Sequence, residues 1–214
     1  MALLPGLSGL PKDGTLGRTL SSLDRSQSER ILAVARSLEM KDSYTSGHHR
    51  RVSILARAIA EQLGLSAHET DGIELAAAIH DIGKAFIPAR ILNKPGELSD
   101  FELYVLRGHP RIGHMILKSM DTPWPLAQII LEHHERLDGS GYPSGLHGEE
   151  ILLSSQVIAV ADAMEAMTSR RPYREALSHV EALEQLTSGR GKQFDADVAD
   201  ACTWLYAVKG FTLP

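Results

Sequence analysis

The chain has 214 residues and a formal net charge of −5, with 43% of its residues hydrophobic and 23% charged. That is length enough for one domain with a sizeable core, and the acidic balance speaks against a nucleic-acid polymer as partner, because neutralising a phosphate backbone takes a surplus of Lys and Arg. Cys202 is the single cysteine, which excludes an intrachain disulfide; with no apolar run of ~18 residues and no secretory signal pattern, the expectation is a cytoplasmic protein without a membrane partner.

Residues 1–27 carry Pro5, Gly6, Gly9, Pro11, Gly14 and Gly17 with no sustained period, which reads as a flexible leader or a linker remnant. The folded domain is expected over 28–214. From there the period is helical, beginning with Ile31, Leu32, Ala35 and Leu38. A second helix is expected to start near Thr45 or Ser46, to line one face with Val52, Leu55, Ala56, Ile59 and Leu63, and to stop at Gly64. Ser66 and Glu69 form a capping box for a third, whose Ile73, Leu75, Ala76 and Ile79 run into His80 and Asp81. The stretch from Gly83 to Gly96, with Pro88 and Pro95, is expected as a loop. Ser99 or Asp100 opens a short helix, Pro110 suits the first turn of another, and Pro125 opens a helix reaching His133 and His134. Asp138 to Gly148, rich in glycine around Pro143, is a second loop. A long helix spans about Ser154 to Thr168, and two more span Ser178 to Thr187 and Asp195 to Val208. Strand-like alternation is absent, so the fold class is all-α.

Ten histidines are the compositional anomaly. Metal-ligand residue types occur at His48-His49, His80-Asp81, His109, His114, His133-His134 and Asp162. Imidazole with carboxylate suits iron, manganese, zinc or nickel, and most of these residues fall where a helix meets a loop, so that several helices converge on a bundle core. Neighbours on a helix point about 100° apart, so an adjacent pair reaches two ions more naturally than one. Asp81, with two oxygens, is placed to bridge them. A lone histidine is more often structural than a ligand, and His49, His68, His147 and His179 are assigned that role. Between His109 and His114, five residues apart, Pro110 favours His109 at a helix start. Lys84 follows Asp81 closely enough to meet a phosphate near the ions. Arg171 and Arg174 flank Pro172 and Tyr173 beyond the Asp162 helix, and arginine suits bidentate phosphate recognition; a solvated helix end explains those two arginines equally.

The run from His80 through Asp81, Ile82 and Gly83 to Lys84, and the run from His133-His134 through Asp138-Gly139 to Gly141-Tyr142-Pro143, resemble the two signatures of HD-GYP domains. Asp42 to His48, Pro88, Lys94-Pro95-Gly96, Glu102, His109-Pro110, Gly113, Val160-Ala161-Asp162, Thr168 to Arg174 and Gly191 to Asp195 follow in the family's order. The resemblance covers about residues 29–208. It implies an HD-domain helical bundle with a metal site in its core. The activity it implies is hydrolysis of cyclic di-GMP, through pGpG, to GMP, with a metal-bridging hydroxide as nucleophile. The implied ligands are His48, His80, Asp81 and Asp162 for one ion, and Asp81, His109, His133 and His134 for the other. Iron or manganese come first among the metals implied, with zinc or nickel next, and no organic cofactor. Lys84 matches a phosphate-contacting lysine; Tyr142, Arg171 and Arg174 match positions lining the substrate groove. Gly141-Tyr142-Pro143 resembles a loop that contacts partners, including diguanylate cyclase domains, and the resemblance leaves room for a homodimer.

The sequence departs from the family at three points. Tyr44 stands where some members carry a carboxylate for a third metal, which argues for two ions. Glu165 and Ala196 differ from the commonest family residues without matching a ligand position. Residues 1–28 are too short for the receiver or sensory domain that precedes most relatives, so the chain is either stand-alone or cut from a longer protein. Two other readings compete with the active enzyme: a silent module that binds a cyclic dinucleotide or a partner, and a hydrolase of another cyclic dinucleotide such as cyclic GMP-AMP.

Overall fold

The computed structural model describes residues 47–169 and 175–214, together with Ile31 and Ala33. Helix α1, His48–Gln62, buries Val52, Leu55, Ala56 and Ile59 at the spacing of one helical face. It ends as the sequence predicts: Gly64 takes φ 75°, and the Leu65 N–H reaches back to the Ala60 carbonyl at 3.1 Å, satisfying a last-turn acceptor. Its start differs from expectation, since α1 begins at His48 with Gly47 as its N-cap; residues 45 and 46 lie outside the described residues. Of the first expected helix, Ile31 is helical and buried in the core, and the remainder except Ala33 also lies outside.

Helix α2, Ala67–Ile79, carries the predicted capping box, with the Ser66 hydroxyl accepting from the Glu69 N–H and the Glu69 carboxylate accepting from the Ser66 N–H. It is buried from Ile73 to Ile79 on every face, which makes it the central helix, packed on α1 and on α7, Leu153–Thr168. The same kind of capping box starts α4, Asp100–Leu106, at Ser99 and α8, His179–Ser188, at Ser178. Helix α5, His109–Leu117, has Pro110 in its first turn, and α6, Leu126–Glu132, follows Pro125. Helix α9, Ala196–Ala207, is capped by Asp195. No strand occurs among the described residues, only isolated bridges such as Asp138 with His147. The core is aliphatic, and no described helix is long and apolar enough to cross a membrane.

The stretch 83–96 is not a plain loop. A 3-10 turn occupies Ile82–Phe86 and a one-turn helix, α3, occupies Ala89–Leu92. Pro88 is the N-cap of α3; a proline that would break a helix interior is tolerated where the first turn leaves N–H groups unpaired anyway. The 3-10 turn packs against α5 through Gly83. A Cβ there would lie 2.0 Å from the His109 carbonyl oxygen and 2.7 Å from the Gly113 nitrogen. Backbone, not a yielding side chain, fills that space, so Gly83 sets how closely His80-Asp81 and His109 approach. Gly83→Ala is expected to destabilise the fold by at least about 1–3 kcal/mol, the range for overpacking. Chemical denaturation measures it, and an unchanged midpoint would show that the two backbones part freely.

Candidate metal centre

The histidines collect at helix ends. His48 is in the first turn of α1, His80 is the C-cap of α2, His109 begins α5, and His133 is the C-cap of α6. Asp81 and His134 are the next residues along, and Asp162 projects from the middle of α7. His48, His49, His80, Asp81, His109 and His133 are all buried. Their ligand atoms form two groups that share Asp81: His48, His49, His80 and Asp81 in one, and Asp81, His109, His133 and His134 in the other, each within 4.8 Å internally.

The two oxygens of Asp81 face the two groups separately. Oδ2 lies 3.4 Å from His80 Nε2, 3.6 Å from His49 Nε2 and 4.0 Å from His48 Nε2. Oδ1 lies 3.2 Å from His109 Nε2. Asp162 Oδ1 approaches the first group, 3.4 Å from His48 Nε2 and 3.9 Å from His80 Nε2. One carboxylate therefore faces both groups, one oxygen toward each.

The imidazoles are aimed by the backbone. The Nδ1 atoms of His80, His109 and His133 lie 2.7, 2.8 and 2.6 Å from the carbonyls of Ala77, Leu106 and Ile130. A carbonyl only accepts, so each Nδ1 carries the proton and each Nε2 presents a lone pair. The Nε2 atoms of His109 and His133 consequently face each other at 3.4 Å: two lone pairs oppose across a buried gap, which is unfavourable until a cation lies with them. His48 is held differently. Its Nδ1 donates to Glu165 Oε2 at 2.5 Å, and Glu165 Oε1 accepts from Arg51 Nε at 2.8 Å and Nη2 at 2.6 Å.

Most of the protonation states fit metal ligation, which takes neutral imidazole and ionised carboxylate; His48 is the exception, because burial lowers its pKa but the carboxylates of Glu165, Asp162 and Asp81 outweigh that and raise it. Burial depresses the pKa of His80, His133 and His134, and neighbouring imidazoles add to that effect for the last two. Burial likewise brings His49 to about 4. Burial works the other way on Asp81, but Lys84 and His80 outweigh it and hold the carboxyl well below its ordinary range. Burial also opposes ionisation of Glu165, yet His48, Ser169 and Arg51 bring it to about 2.

All seven implied ligands therefore meet at one place. His114 lies outside both groups, as do His68, His147 and His179. His49, assigned a structural role from sequence, lies inside the first group. The expectation that adjacent residues diverge is corrected as well. His133 and His134 have ring centroids only 4.0 Å apart, because α6 ends at His133 and the 100° step of a helix no longer applies beyond it. Lys84 Nζ is 2.7 Å from Asp81 Oδ2. Tyr142 stacks on His134 with centroids 4.6 Å apart, and the Arg107 guanidinium lies 5.3 Å over its ring. Gly141 and Pro143 are half-buried, and the Pro143 carbonyl accepts from Arg111 Nη2 at 2.8 Å. Buried Glu135 moors the same loop, accepting from the N–H groups of Ser144 and Leu146. Arg171, Arg174 and Tyr44 lie outside the described residues.

The molecule is thus an all-helical bundle around a buried histidine–aspartate centre of the kind that holds divalent metal ions. The HD domain family model matches residues 32–198, and the chain belongs to that family. It is 43% identical over 185 residues to the cyclic di-GMP phosphodiesterase response regulator RpfG of Xanthomonas campestris, covering 86% of this chain and 49% of that protein. The chain thus spans about half the length of that relative. A solved HDG"Y"P protein from Bdellovibrio bacteriovorus shares the fold, with a TM-score of 0.63 and 23% identity over 76% of this chain and 52% of the other. A cyclic GMP-AMP specific phosphodiesterase of Vibrio cholerae superposes with a TM-score of 0.56 and 27% identity, over 89% of this chain and 44% of that one.

Glu165 was the residue whose role the sequence left blank. It lies 117 positions from His48, and no local pattern announces the contact. Glu165→Gln is expected to lower metal affinity about tenfold to hundredfold, the range for partners that orient a ligand. Competition with a chromophoric chelator measures this at unchanged helix content; an unaltered affinity would mean that Glu165 only supports packing.

Proposed function

We propose that the chain is a metal-dependent phosphodiesterase that hydrolyses cyclic di-GMP, through pGpG, to GMP. The observation that carries this reading is Asp81, with one oxygen toward each ligand group. Its likeness to RpfG supports the substrate. Two ions per chain, iron or manganese ahead of zinc or nickel, suit two mixed imidazole–carboxylate sets. Bound there, they would supply an activated water and neutralise charge on the scissile phosphate. The chain's own residues do the positioning. Asp81 holds the two sites at a fixed separation, the carbonyl-tethered histidines fix the ligand directions, and burial excludes bulk water from one side. Lys84, beside Asp81 and partly exposed, offers a cation where a phosphate reaches the centre.

A cyclic dinucleotide carries two phosphates, and one of them at a time meets the metals. In this reading Arg171 and Arg174 hold the other, and Tyr142 lines the groove. The Gly141-Tyr142-Pro143 loop is the contact for diguanylate cyclase domains. A second reading, hydrolysis of cyclic GMP-AMP, is favoured by the likeness to the Vibrio cholerae enzyme.

Two measurements test the proposal. Elemental analysis of protein purified without chelator is expected to give two ions per chain, and chromatography of products from cyclic di-GMP is expected to give GMP. Asp81→Ala is expected to lose both turnover and metal. Faster turnover of 3′3′-cyclic GMP-AMP would favour the second reading, and metal-loaded protein inert toward both would favour a silent binding module. Steady-state kinetics at fixed metal loading separate the cations. Lys84→Ala is expected to lower kcat, whereas Arg171→Ala and Arg174→Ala raise KM about tenfold to hundredfold each, as loss of a charge-assisted bond of roughly 1.5–3 kcal/mol requires. Unchanged KM in both arginine variants would remove them from the site.

A further inference from the structure

We infer that His49 is itself a metal ligand, in a set with His48, His80 and Asp81 around the first ion. The inference rests on the metal centre of the proposed function and extends it to a residue that the family resemblance does not supply.

The geometry is specific. The His49 ligand atom lies within 4.8 Å of those of His48, His80 and Asp81. Its Nε2 is 3.6 Å from Asp81 Oδ2, too far for a hydrogen bond and close enough for both atoms to meet one ion. His49 is 7% exposed, and Nε2 has no hydrogen-bond partner among the described residues. A buried imidazole nitrogen left without a partner is unfavourable by about 1–3 kcal/mol; an ion at the first site removes that penalty. The ring also keeps company with the other ligands, its centroid 5.2 Å from that of His48 and 5.4 Å from that of His80.

Helix α1 explains how two consecutive residues reach one site. His48 begins the buried face of Val52, Leu55 and Ile59, and His49 begins that of Val52, Ser53, Ala56 and Ala60. These faces overlap, so the first turn of α1 presents a broad buried arc rather than a stripe.

The test is a titration of metal-free protein with manganese(II), followed by the electron paramagnetic resonance signal of the free ion, which counts bound manganese without reference to activity. Wild-type protein is expected to bind two. His49→Ala is expected to keep one site unchanged and to weaken the other by more than about hundredfold, beyond the roughly tenfold to hundredfold that loss of an outer partner brings. His49→Gln is expected to show the same loss, because its amide can hydrogen-bond Asp81 but does not replace an imidazole. His147→Ala, outside the centre, serves as control and is expected to match wild type. The inference is overturned if His49→Ala binds both ions as wild type does, or if His49→Gln restores affinity, which would make His49 a hydrogen-bonding support for Asp81. Wild-type protein that binds no manganese, iron or other divalent ion would instead overturn the metal centre itself.

Discussion

The structure depends on one buried carboxylate. Asp81 is 1% exposed and surrounded by imidazoles, an environment in which an unpaired charge is strongly unfavourable. Its position follows from three constraints. Helix α2 must end at Ile79 so that His80 and Asp81 turn out of it together. The 3-10 turn that follows must bring Lys84 back onto Oδ2. Gly83 must lack a side chain so that α5 can deliver His109 to Oδ1. Relaxing any of these separates the two ligand groups that Asp81 joins.

Capping and ligation are the same interaction here. A helix leaves its last carbonyls without partners. Ala77, Leu106 and Ile130 lie in the last turns of α2, α4 and α6, and their carbonyls are the acceptors for His80, His109 and His133. Each bond therefore satisfies an orphan acceptor and fixes the direction of an Nε2 lone pair. The C-terminal end of a helix also carries partial negative charge. The ends of α2 and α6 meet at the centre, where His80 and His133 are their C-caps, and so favour a cation before any side-chain charge is counted. His48, near the start of a helix, has no such carbonyl; Glu165, held by Arg51, takes its place.

What was legible in the sequence was what is local. The capping box at Ser66 and the helix starts at Ser99 and Ser178 are legible because each is closed within four residues. His109 was separable from His114 because Pro110 marks a helix start. The stretch 83–96 was misread because proline was taken as a breaker, although Pro88 stands at the start of a helix turn. A lone histidine is more often structural than a ligand, which argues for a structural His49; the breadth of the buried arc of α1, visible in Val52, Ser53 and Ala56, is the signal against that. The bonds from Glu165 to His48 and Arg51 join α7 to α1, and nothing in either segment alone predicts them.

The exposed side of the centre indicates how a substrate meets it. The histidines tethered to helix carbonyls are closed off, whereas Lys84 and Asp162 keep about a fifth and a sixth of their side chains in solvent, and His134 and Tyr142 are half-buried. Lys84 supplies a cation at the partly exposed edge of the centre, on a chain whose net charge is −5. Tyr142 covers His134 by stacking, while Glu135 and Arg111 hold the loop behind it. The stacking of Tyr142 on His134 thus ties the position of that loop to the orientation of the His134 ring.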